Sequence, residues 1–274
     1  MDADRLRQIA DVAADSEAAD AASPIDEATW LALRNHPDDV AWWVSEDGFA
    51  LVIGDDLSLA VRPKSRGHGV GGSLVSQALA SYDGGLRAWS HADHPGAARL
   101  AERHDFGRAR ELWVMRRPAG GSSGAITLPD GVVIRGYRHQ DEPELLRVNA
   151  AAFSSHPEQG SMSAGDLAER MGEPWFDPAG LLVAVNRGKI LGFHWTKQHS
   201  PALGEVYVVG VDPDAQGLGL GKALTRAGLD HLAGRGVSEV ELYVESDNAA
   251  AIAIYDGLGF THDARDTHVM YRRG

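Results

Sequence analysis

A short glycine-containing segment, Gln216-Gly217-Leu218-Gly219-Leu220-Gly221, is the first candidate for chemistry in this chain of 274 residues. It lies between a predicted strand and a predicted helix. Glycines at such a turn let the backbone approach a ligand closely, and the free N–H groups at the start of the helix favour a phosphate. The spacing is that of neither a Rossmann fingerprint nor a P-loop. On its own, the segment fits both a phosphate-binding loop and an ordinary strand-to-helix turn.

A second motif follows on the next strand and helix. The predicted strand Glu239–Val244 leads to Asn248 and to a helix that carries Tyr255 and ends at Gly259-Phe260. Tyr255 taken alone could instead be a half-buried helix residue that packs its ring. The two motifs at this separation resemble the GCN5-related N-acetyltransferase (GNAT) family. The acyl-CoA signature of that family, Gln/Arg-x-x-Gly-x-Gly/Ala, matches residues 216–221, and its Asn…Tyr…Gly-Phe pattern matches the later helix and its end.

The resemblance implies acetyl-CoA as the cosubstrate. The backbone of a strand would pair with the pantetheine arm as if it were an added strand, and the amides of the glycine segment would hold the pyrophosphate. The residues expected to contact acetyl-CoA in this half are Val209, Gly210, Val211, Gln216, Gly217, Leu218, Gly219, Leu220, Gly221, Lys222, Asn248, Ala249, Ala250, Ala251, Ile252 and Ala253.

Acetylation of an amine also needs an acid and a base, and the resemblance implies Tyr255 and Glu205. A phenol with a pKa of about 10 can protonate a departing thiolate whose thiol has a pKa of about 8.5. An α-amino group with a pKa of about 8 is mostly ammonium at neutral pH, and Glu205 could take its proton directly or through one water. Without the resemblance, Glu205 could be an exposed residue at a strand end. Regular alternation along the strand predicts that residues 205, 207, 209 and 211 share one face.

The chain also resembles a narrower family, the mycothiol synthases, which are tandem acetyltransferases of actinobacteria. The similarity is densest in the runs 155–160, 173–180, 191–197, 204–213 and 242–248. This resemblance implies acetylation of the cysteinyl amine of 1D-myo-inositol 2-(L-cysteinylamino)-2-deoxy-α-D-glucopyranoside (desacetylmycothiol), the last step of mycothiol biosynthesis. The substrate contacts that it implies are Glu27, Glu158, Lys197, Glu205 and Tyr243.

An internal repeat indicates a duplicated domain. Val61-Arg62-Pro63 and the segment Arg66–Gly71 recur as Val211-Asp212-Pro213 and residues 216–221. We therefore predict an α/β fold with mixed sheets, made of two tandem GNAT domains at 1–117 and 126–274 and a linker at 118–125. The predicted elements of the second domain are strands 132–137, 181–185, 190–195, 205–211, 239–244 and 268–271, helices 142–153, 219–233 and 248–258, and a hairpin turn at 186–189.

The two halves are not chemically equal. Aligning Phe106 with Phe260 puts His94 opposite Asn248 and Ala101 opposite Tyr255, so the first half lacks the tyrosine. We expect the first half to bind acetyl-CoA without turning it over. Its expected contacts are Leu59, Ala60, Val61, Gly67, His68, Gly69, Val70, Gly71 and Gly72.

Composition excludes several classes of function. Thirty-nine acidic against 26 basic residues give a net charge of −13, which argues against nucleic-acid binding. The absence of cysteine excludes disulfides, Cys-ligated zinc and a thiol acyl-enzyme. No metal-ligand grouping, signal peptide or apolar run of membrane length is evident. These features predict a cytoplasmic monomer that holds no metal and binds neither nucleic acid nor membranes.

The acidic excess is uneven along the first half. Residues 1–27 hold eight acids and two arginines, whereas the glycine loop of that half, Val61–Leu74, has Arg62, Lys64 and Arg66 and no acid. We therefore expect those three cations to favour the anionic cosubstrate.

Two other functions share some of these motifs. An acetyltransferase for another amine, such as a protein N-terminus, would have the same CoA motifs and differ in acceptor residues. A non-catalytic acyl-CoA sensor would have the CoA motifs alone, and the presence of both Tyr255 and Glu205 argues against it for the second half.

Overall fold

The computed structural model describes residues 2–82, 84–120, 125–154 and 157–274, except the side chains of residues 157 and 158. The chain forms two compact units. The first contains Met1–Trp113, Glu245–Asp247 and Asp263–Gly274, and the second contains Val114–Val244 and Asn248–His262. Both units have the mixed α/β structure that the sequence predicts.

The unit boundaries differ from the predicted boundaries at residues 117 and 126. The cause is that two long strands, Gly107–Pro118 and Thr261–Arg273, each have residues in both units. The predicted boundaries rest on the ends of the repeat and on linker composition. Neither criterion shows that one strand has residues in both units. Residues 121–124 of the predicted linker lie outside the described residues.

The first unit is a mixed sheet with helices packed on both faces. Along β2, Phe49 and Leu51 pack with α1, whereas Ala50 and Val52 pack with α3, because successive side chains of a strand point to opposite faces. The strand order is β1-β2-β3-β4-β11-β5, with β3 and β4 parallel. Its elements are α1 (Ala3–Asp20), α2 (Glu27–Asn35), β1 (Val40–Val44), β2 (Gly48–Ile53), β3 (Asp56–Val61), α3 (Val70–Ala80), β4 (Leu86–Ser90), α4 (Pro95–Arg103), β5 (Gly107–Pro118) and the greater part of β11 (Thr261–Arg273).

The second unit repeats this plan. Leu181 and Val183 of β7 pack toward α5, and Leu182 and Ala184 pack toward α8. The strand order is β5-β10-β9-β8-β7-β6, antiparallel from β6 to β9 and parallel between β9 and β10. Its elements after β5 are β6 (Val132–Gly136), α5 (Glu142–Ala152), α6 (Pro157–Gly160), α7 (Ala164–Met171), β7 (Leu181–Asn186), β8 (Lys189–Gln198), β9 (Leu203–Val211), α8 (Leu220–Gly234), β10 (Glu239–Glu245) and α9 (Ala249–Asp256).

The hairpin predicted between β7 and β8 is confirmed. Arg187 and Gly188 have φ angles of 48° and 84°, the left-handed values that a two-residue turn of type I′ requires. Helices α6 and α7 are additions, since the sequence patterns did not predict them.

A buried histidine joins β8 to α8. His194 is fully buried, and its Nδ1 donates a hydrogen bond to the Leu224 carbonyl oxygen at 2.8 Å. Gly228 of α8 packs directly on the imidazole, where a Cβ atom would overlap the ring. Burial lowers the pKa of His194 to about 4, so the side chain is neutral in the folded protein at neutral pH.

We expect this histidine to make the folded protein less stable as the pH falls from 7 to 4. An unfolded imidazole takes up a proton near pH 6.5, whereas the folded one does so only near its pKa of about 4. The unfolded chain therefore binds more protons in this window, and the free energy of unfolding decreases by about 3 kcal/mol. Urea unfolding across this range should show a smaller pH dependence in His194→Asn. The control His139→Asn, at a side chain that is 95% exposed, should keep the wild-type dependence.

Candidate active site

A β-bulge in β9 is the central feature of the second unit. The β9–β10 ladder runs from the pair Leu203–Glu239 to the pair Val206–Leu242. At the same height the β8–β9 register shifts, because Trp195 lies opposite Val208 and Thr196 opposite Val206. Tyr207 is therefore the extra residue of a bulge, which bends a strand and leaves backbone groups unpaired. From Tyr207 onward, β9 offers a strand edge to which an extended ligand can add.

The bulge makes the predicted alternation along β9 wrong. Tyr207 packs with Trp195 in the core under α5, whereas Val211 packs with Leu224 in the core under α8. The extra residue at the bulge reverses the alternation, so Glu205 and Tyr207 lie on one face and Val209 and Val211 on the other. An apolar run such as residues 206–209 carries no sequence signal for a bulge.

Glu205 lies in a network of charged side chains. It is only 6% exposed, and its Oε2 accepts a hydrogen bond from His199 Nε2 at 2.7 Å. Glu241 of β10 lies directly opposite Glu205 in register and is 4% exposed. Arg116 of β5 donates to Glu241 Oε2, with Nη2 at 2.8 Å. Like charges facing each other across strands destabilise a sheet unless they are compensated, and Arg116 and His199 supply that compensation.

Lys197 lies on the same face, opposite Glu205 on β8. Its Nζ is 4.8 Å from the ring centroid of Trp175 and 5.1 Å from that of Tyr207, so the ammonium is held against two aromatic rings. Tyr243 follows Glu241 by two residues on β10 and is 40% exposed. The structure thus brings Lys197, Glu205 and Tyr243 to one face of the sheet.

The other two predicted substrate residues are placed differently. Glu27 is the first residue of α2 in the first unit, directly after the capping residue Asp26. The side chain of Glu158 lies outside the described residues.

The glycine segment begins α8. Gly217 and Gly219 have φ angles of 77° and 75°, in the left-handed region that favours glycine, and Gly219 caps the helix without a side-chain hydrogen bond. The amides of the first helical turn are therefore available to an anion. The nearby Asp212 is ionised, because its own burial would raise its pKa but hydrogen bonds from Arg147 and the Asp214 amide lower the pKa below its usual value. The ion pair with Arg147 balances this negative charge beside the loop.

Tyr255 lies on α9, whose N-terminus is fixed by Asn248. The Asn248 side-chain oxygen accepts a hydrogen bond from the Ala251 amide at 3.1 Å. The Tyr255 ring packs edge-to-face against Phe260, with centroids 5.9 Å apart. Burial raises the pKa of Tyr255 above its usual value, so the phenol keeps its proton well above neutral pH.

The first unit has the same loop and a cavity beside it. Gly67 and Gly69 have φ angles of 80° and 87°, and Gly69 begins α3 as Gly219 begins α8. The cavity has a volume of about 440 Å³ and is lined by β3, the glycine segment, β4 and α4. His94 caps α4 by accepting a hydrogen bond from the Gly96 amide, in the way that Asn248 caps α9.

Two features of the second unit are missing from this cavity. Ala101 lines it at the position that aligns with Tyr255. The β2–β3 register also runs without a shift from the pair Gly48–Val61 to the pair Ile53–Asp56, so β3 has no bulge. The first unit therefore has a ligand-sized cavity without the tyrosine and without the bulged strand.

The predicted role of the arginines near this loop is wrong in one respect. Arg66 forms a bidentate ion pair with Asp20 of α1, and both N–O distances are 2.7 Å. Arg62 forms an ion pair with Asp15 of the same helix. The acidic N-terminal helix thus neutralises these arginines. Sequence spacing did not reveal this pairing, because α1 lies more than forty residues earlier.

Sequence reasoning missed His199, Glu241 and the rings around Lys197. Glu241 carried a usable signal, since it is a charged residue within the apolar strand Val240–Val244. His199 follows β8 and has no pattern that would point to Glu205.

The described part of the chain contains no group of three or more His, Cys, Asp or Glu side chains that could hold a metal ion. Within the same residues, no helix is long and apolar enough to span a bilayer.

The chain is similar to known acetyltransferases. The model of the acetyltransferase (GNAT) family matches residues 147–260. A protein of Nocardioides sp. strain JS614 named mycothiol acetyltransferase is 60% identical over 99% of this chain and 98% of its own length. A protein of Paenarthrobacter aurescens with the same name is 47% identical over 99% of this chain and 93% of its own length.

Solved structures show the same fold. A tandem GNAT protein from the clavulanic acid biosynthesis pathway superposes with a TM-score of 0.75 at 20% identity, covering 99% of this chain and 95% of that one. A GCN5-related N-acetyltransferase from Sphaerobacter thermophilus gives a TM-score of 0.69 at 23% identity, covering 97% and 91%.

Proposed function

The chain belongs to the mycothiol acetyltransferase family, and from this premise we propose how its second unit performs the reaction. The protein is an N-acetyltransferase that uses acetyl-CoA to acetylate the cysteinyl amine of desacetylmycothiol, which gives mycothiol. The observation that carries the mechanism is the bulge in β9, which sets a buried carboxylate beside an open strand edge.

The strand edge and the glycine loop hold acetyl-CoA. Backbone groups of Val209, Gly210 and Val211 pair with the pantetheine arm, and the uncapped amides from Gly217 to Lys222 bind the pyrophosphate. We assign Asn248 and the first residues of α9, as far as Ala253, to the same bound molecule. A backbone amide that the bulge leaves unpaired donates a hydrogen bond to the developing oxyanion. This donor stabilises the charge effectively because the fold orients it before the reaction begins.

Glu205 and Tyr255 move the two protons of the reaction. Glu205 takes the proton of the ammonium group, and the free amine then attacks the thioester carbonyl directly. Tyr255, which carries its proton at neutral pH, protonates the thiolate as the C–S bond breaks, and the proton that the acylated nitrogen then loses returns to the Tyr255 oxygen through solvent. The chain contains no cysteine, so no thiol acyl-enzyme intervenes.

Charged and hydroxyl groups recognise the pseudodisaccharide. We assign this role to Lys197 and Tyr243 on the face that carries Glu205, together with Glu158 and Glu27. Lys197 suits it because its ammonium is already restrained by two rings, so that little side-chain entropy is lost on binding.

We also propose that the first unit binds a second acetyl-CoA without turnover. The cavity beside its glycine loop supports binding, and the absence of a tyrosine at Ala101 and of a bulge in β3 supports the lack of catalysis. The enzyme is proposed to act as a cytoplasmic monomer, consistent with a chain free of cysteine.

The number of bound acetyl-CoA molecules tests this division. Gly72 lines the cavity, and a Cβ there would meet only side-chain ends at 3.6 and 3.8 Å. Gly72→Phe should reduce acetyl-CoA binding in equilibrium dialysis from two molecules per chain to one, with turnover within about twofold. Lys222→Phe, at the matching position of the second loop, should remove the other molecule and the activity. A wild-type stoichiometry of one would contradict the proposal.

The preferred acceptor distinguishes the proposed function from the two alternatives. The chain should acetylate desacetylmycothiol with a kcat/KM at least about 10²-fold above that for N-terminal peptides or simple amines, because only the full acceptor reaches the polyol contacts. A preference for peptides would favour the alternative acetyltransferase. Binding of acetyl-CoA without transfer to any amine would favour a sensor.

A further inference from the structure

Two buried carboxylates face each other across β9 and β10, and only one of them can serve as the base. Glu205 and Glu241 are directly opposite in register and are 6% and 4% exposed. Both could in principle accept a proton. What distinguishes them is the set of groups to which each is bound.

Glu241 is occupied by arginine. Arg116 donates to its Oε2 from Nε at 3.1 Å and from Nη2 at 2.8 Å. A guanidinium remains charged at all accessible pH values and holds a carboxylate in its ionised form. Glu241 is therefore bound as the counter-ion of Arg116, and its Oε2 is occupied by that guanidinium.

Glu205 is held by an imidazole instead. His199 Nε2 lies 2.7 Å from Glu205 Oε2 and 3.8 Å from Glu241 Oε1. Because a carboxylate only accepts, His199 presents Nε2–H to it. This bond engages one oxygen of Glu205 and leaves the other, Oε1, for the incoming amine. The His199 side chain is 33% exposed, whereas the Glu205 side chain is 7% exposed, so the imidazole lies at the boundary between the base and solvent.

We propose that His199 is the positioning residue of the base. Glu241, which is held by Arg116, helps to keep the imidazole in place, because its Oε1 lies 3.8 Å from His199 Nε2. This rests on the assignment of Glu205 as the base in the proposed function. His199 does not reach the substrate. It sets the rotamer of Glu205 so that Oε1 meets the amine in line for proton transfer, and such alignment is worth about 10- to 100-fold in rate.

Three variants, compared with Glu205→Gln and the wild type, test the proposal in steady-state kinetics. His199→Leu should lower kcat about 10- to 100-fold and leave the KM for acetyl-CoA within about twofold. His199→Gln, which keeps an N–H donor at a similar reach, should recover most of that loss. Glu241→Gln should lower kcat far less than Glu205→Gln. The exposed His139→Leu serves as the control and should match the wild type.

The opposite results would overturn the proposal. It fails if His199→Leu turns over within about twofold of the wild type, if His199→Gln is as slow as His199→Leu, or if Glu241→Gln is as slow as Glu205→Gln.

A measurement that does not depend on turnover separates this proposal from the proposed function. In ¹⁵N NMR spectra, Nε2 of the His199 imidazole in the wild type should carry a proton, and this signal should change in Glu205→Gln. A His199 signal that Glu205→Gln leaves unchanged would exclude the hydrogen bond, whatever the acceptor. Failure of the wild type to acetylate desacetylmycothiol, with the hydrogen bond present, would instead reject the function.

Discussion

Glu205→Gln is expected to lower kcat for acetylation of desacetylmycothiol by about 10²- to 10⁴-fold, the range that a positioned general base contributes. Glutamine has the shape of glutamate but cannot accept the ammonium proton. The site is buried and the substitution conserves volume, so packing should be preserved. Steady-state kinetics with the folded variant measure the effect. Glu142→Gln, at the start of α5, is a matched control that should leave kcat unchanged.

The pH dependence separates a base from a binding group. The acceptor amine has an ordinary pKa of about 8, so at higher pH solvent removes the proton without help. The deficit of Glu205→Gln should therefore shrink as the pH rises from 7 to about 9.5. A deficit of the same size throughout this range would mean that Glu205 binds the acceptor and does not remove its proton.

Tyr255→Phe is expected to lower kcat by about 10²-fold or more, because the thiolate then leaves without a proton donor. The substitution keeps the ring that packs on Phe260, and Tyr255 lies beyond the residues that we assign to the cosubstrate. Acetyl-CoA binding, measured by calorimetry, should therefore be within about twofold of the wild type. Unchanged turnover would show that the departing thiolate needs no acid, and weakened binding would show that the hydroxyl serves the cosubstrate.

Burial of Tyr255 fixes the sign of a further pH effect. Because its pKa is raised, the phenol stays protonated to higher pH than an exposed tyrosine with a pKa of about 10. The wild-type rate should therefore rise with deprotonation of the amine and show no decline from loss of this acid below about pH 10. A fall in kcat between pH 8 and 9 would contradict the assignment of Tyr255 as the acid.

The sequence predicted the features that depend on local backbone chemistry. Gly217 and Gly219 have the left-handed conformations that only glycine adopts easily, and Asn248 caps α9 with a short polar side chain. The paired motifs and the repeat led to the α/β class and the family. The Asn186–Lys189 hairpin could also be predicted, because two-residue turns have narrow residue preferences.

The features that depend on pairing between distant segments could not be predicted. The bulge at Tyr207 arises from the register of β9 against β8, and nothing in the run Val206–Val209 indicates it. The ion pair of Arg66 with Asp20 and the hydrogen bond of His199 with Glu205 both depend on where a loop or helix is placed by the fold. For the same reason, the sequence did not predict that β5 and β11 each have residues in both units.

The most direct test of the account follows the acetyl group from acetyl-CoA to its acceptor. The chain would be incubated with ¹³C-acetyl-CoA, its intact mass recorded, desacetylmycothiol added, and the product examined by mass spectrometry and NMR. Direct transfer to the amine predicts a protein of unchanged mass before the acceptor is added, and then a label bound as an amide to the cysteinyl nitrogen. An acetylated protein, a label on the thiol as the final product, or no transfer would contradict it.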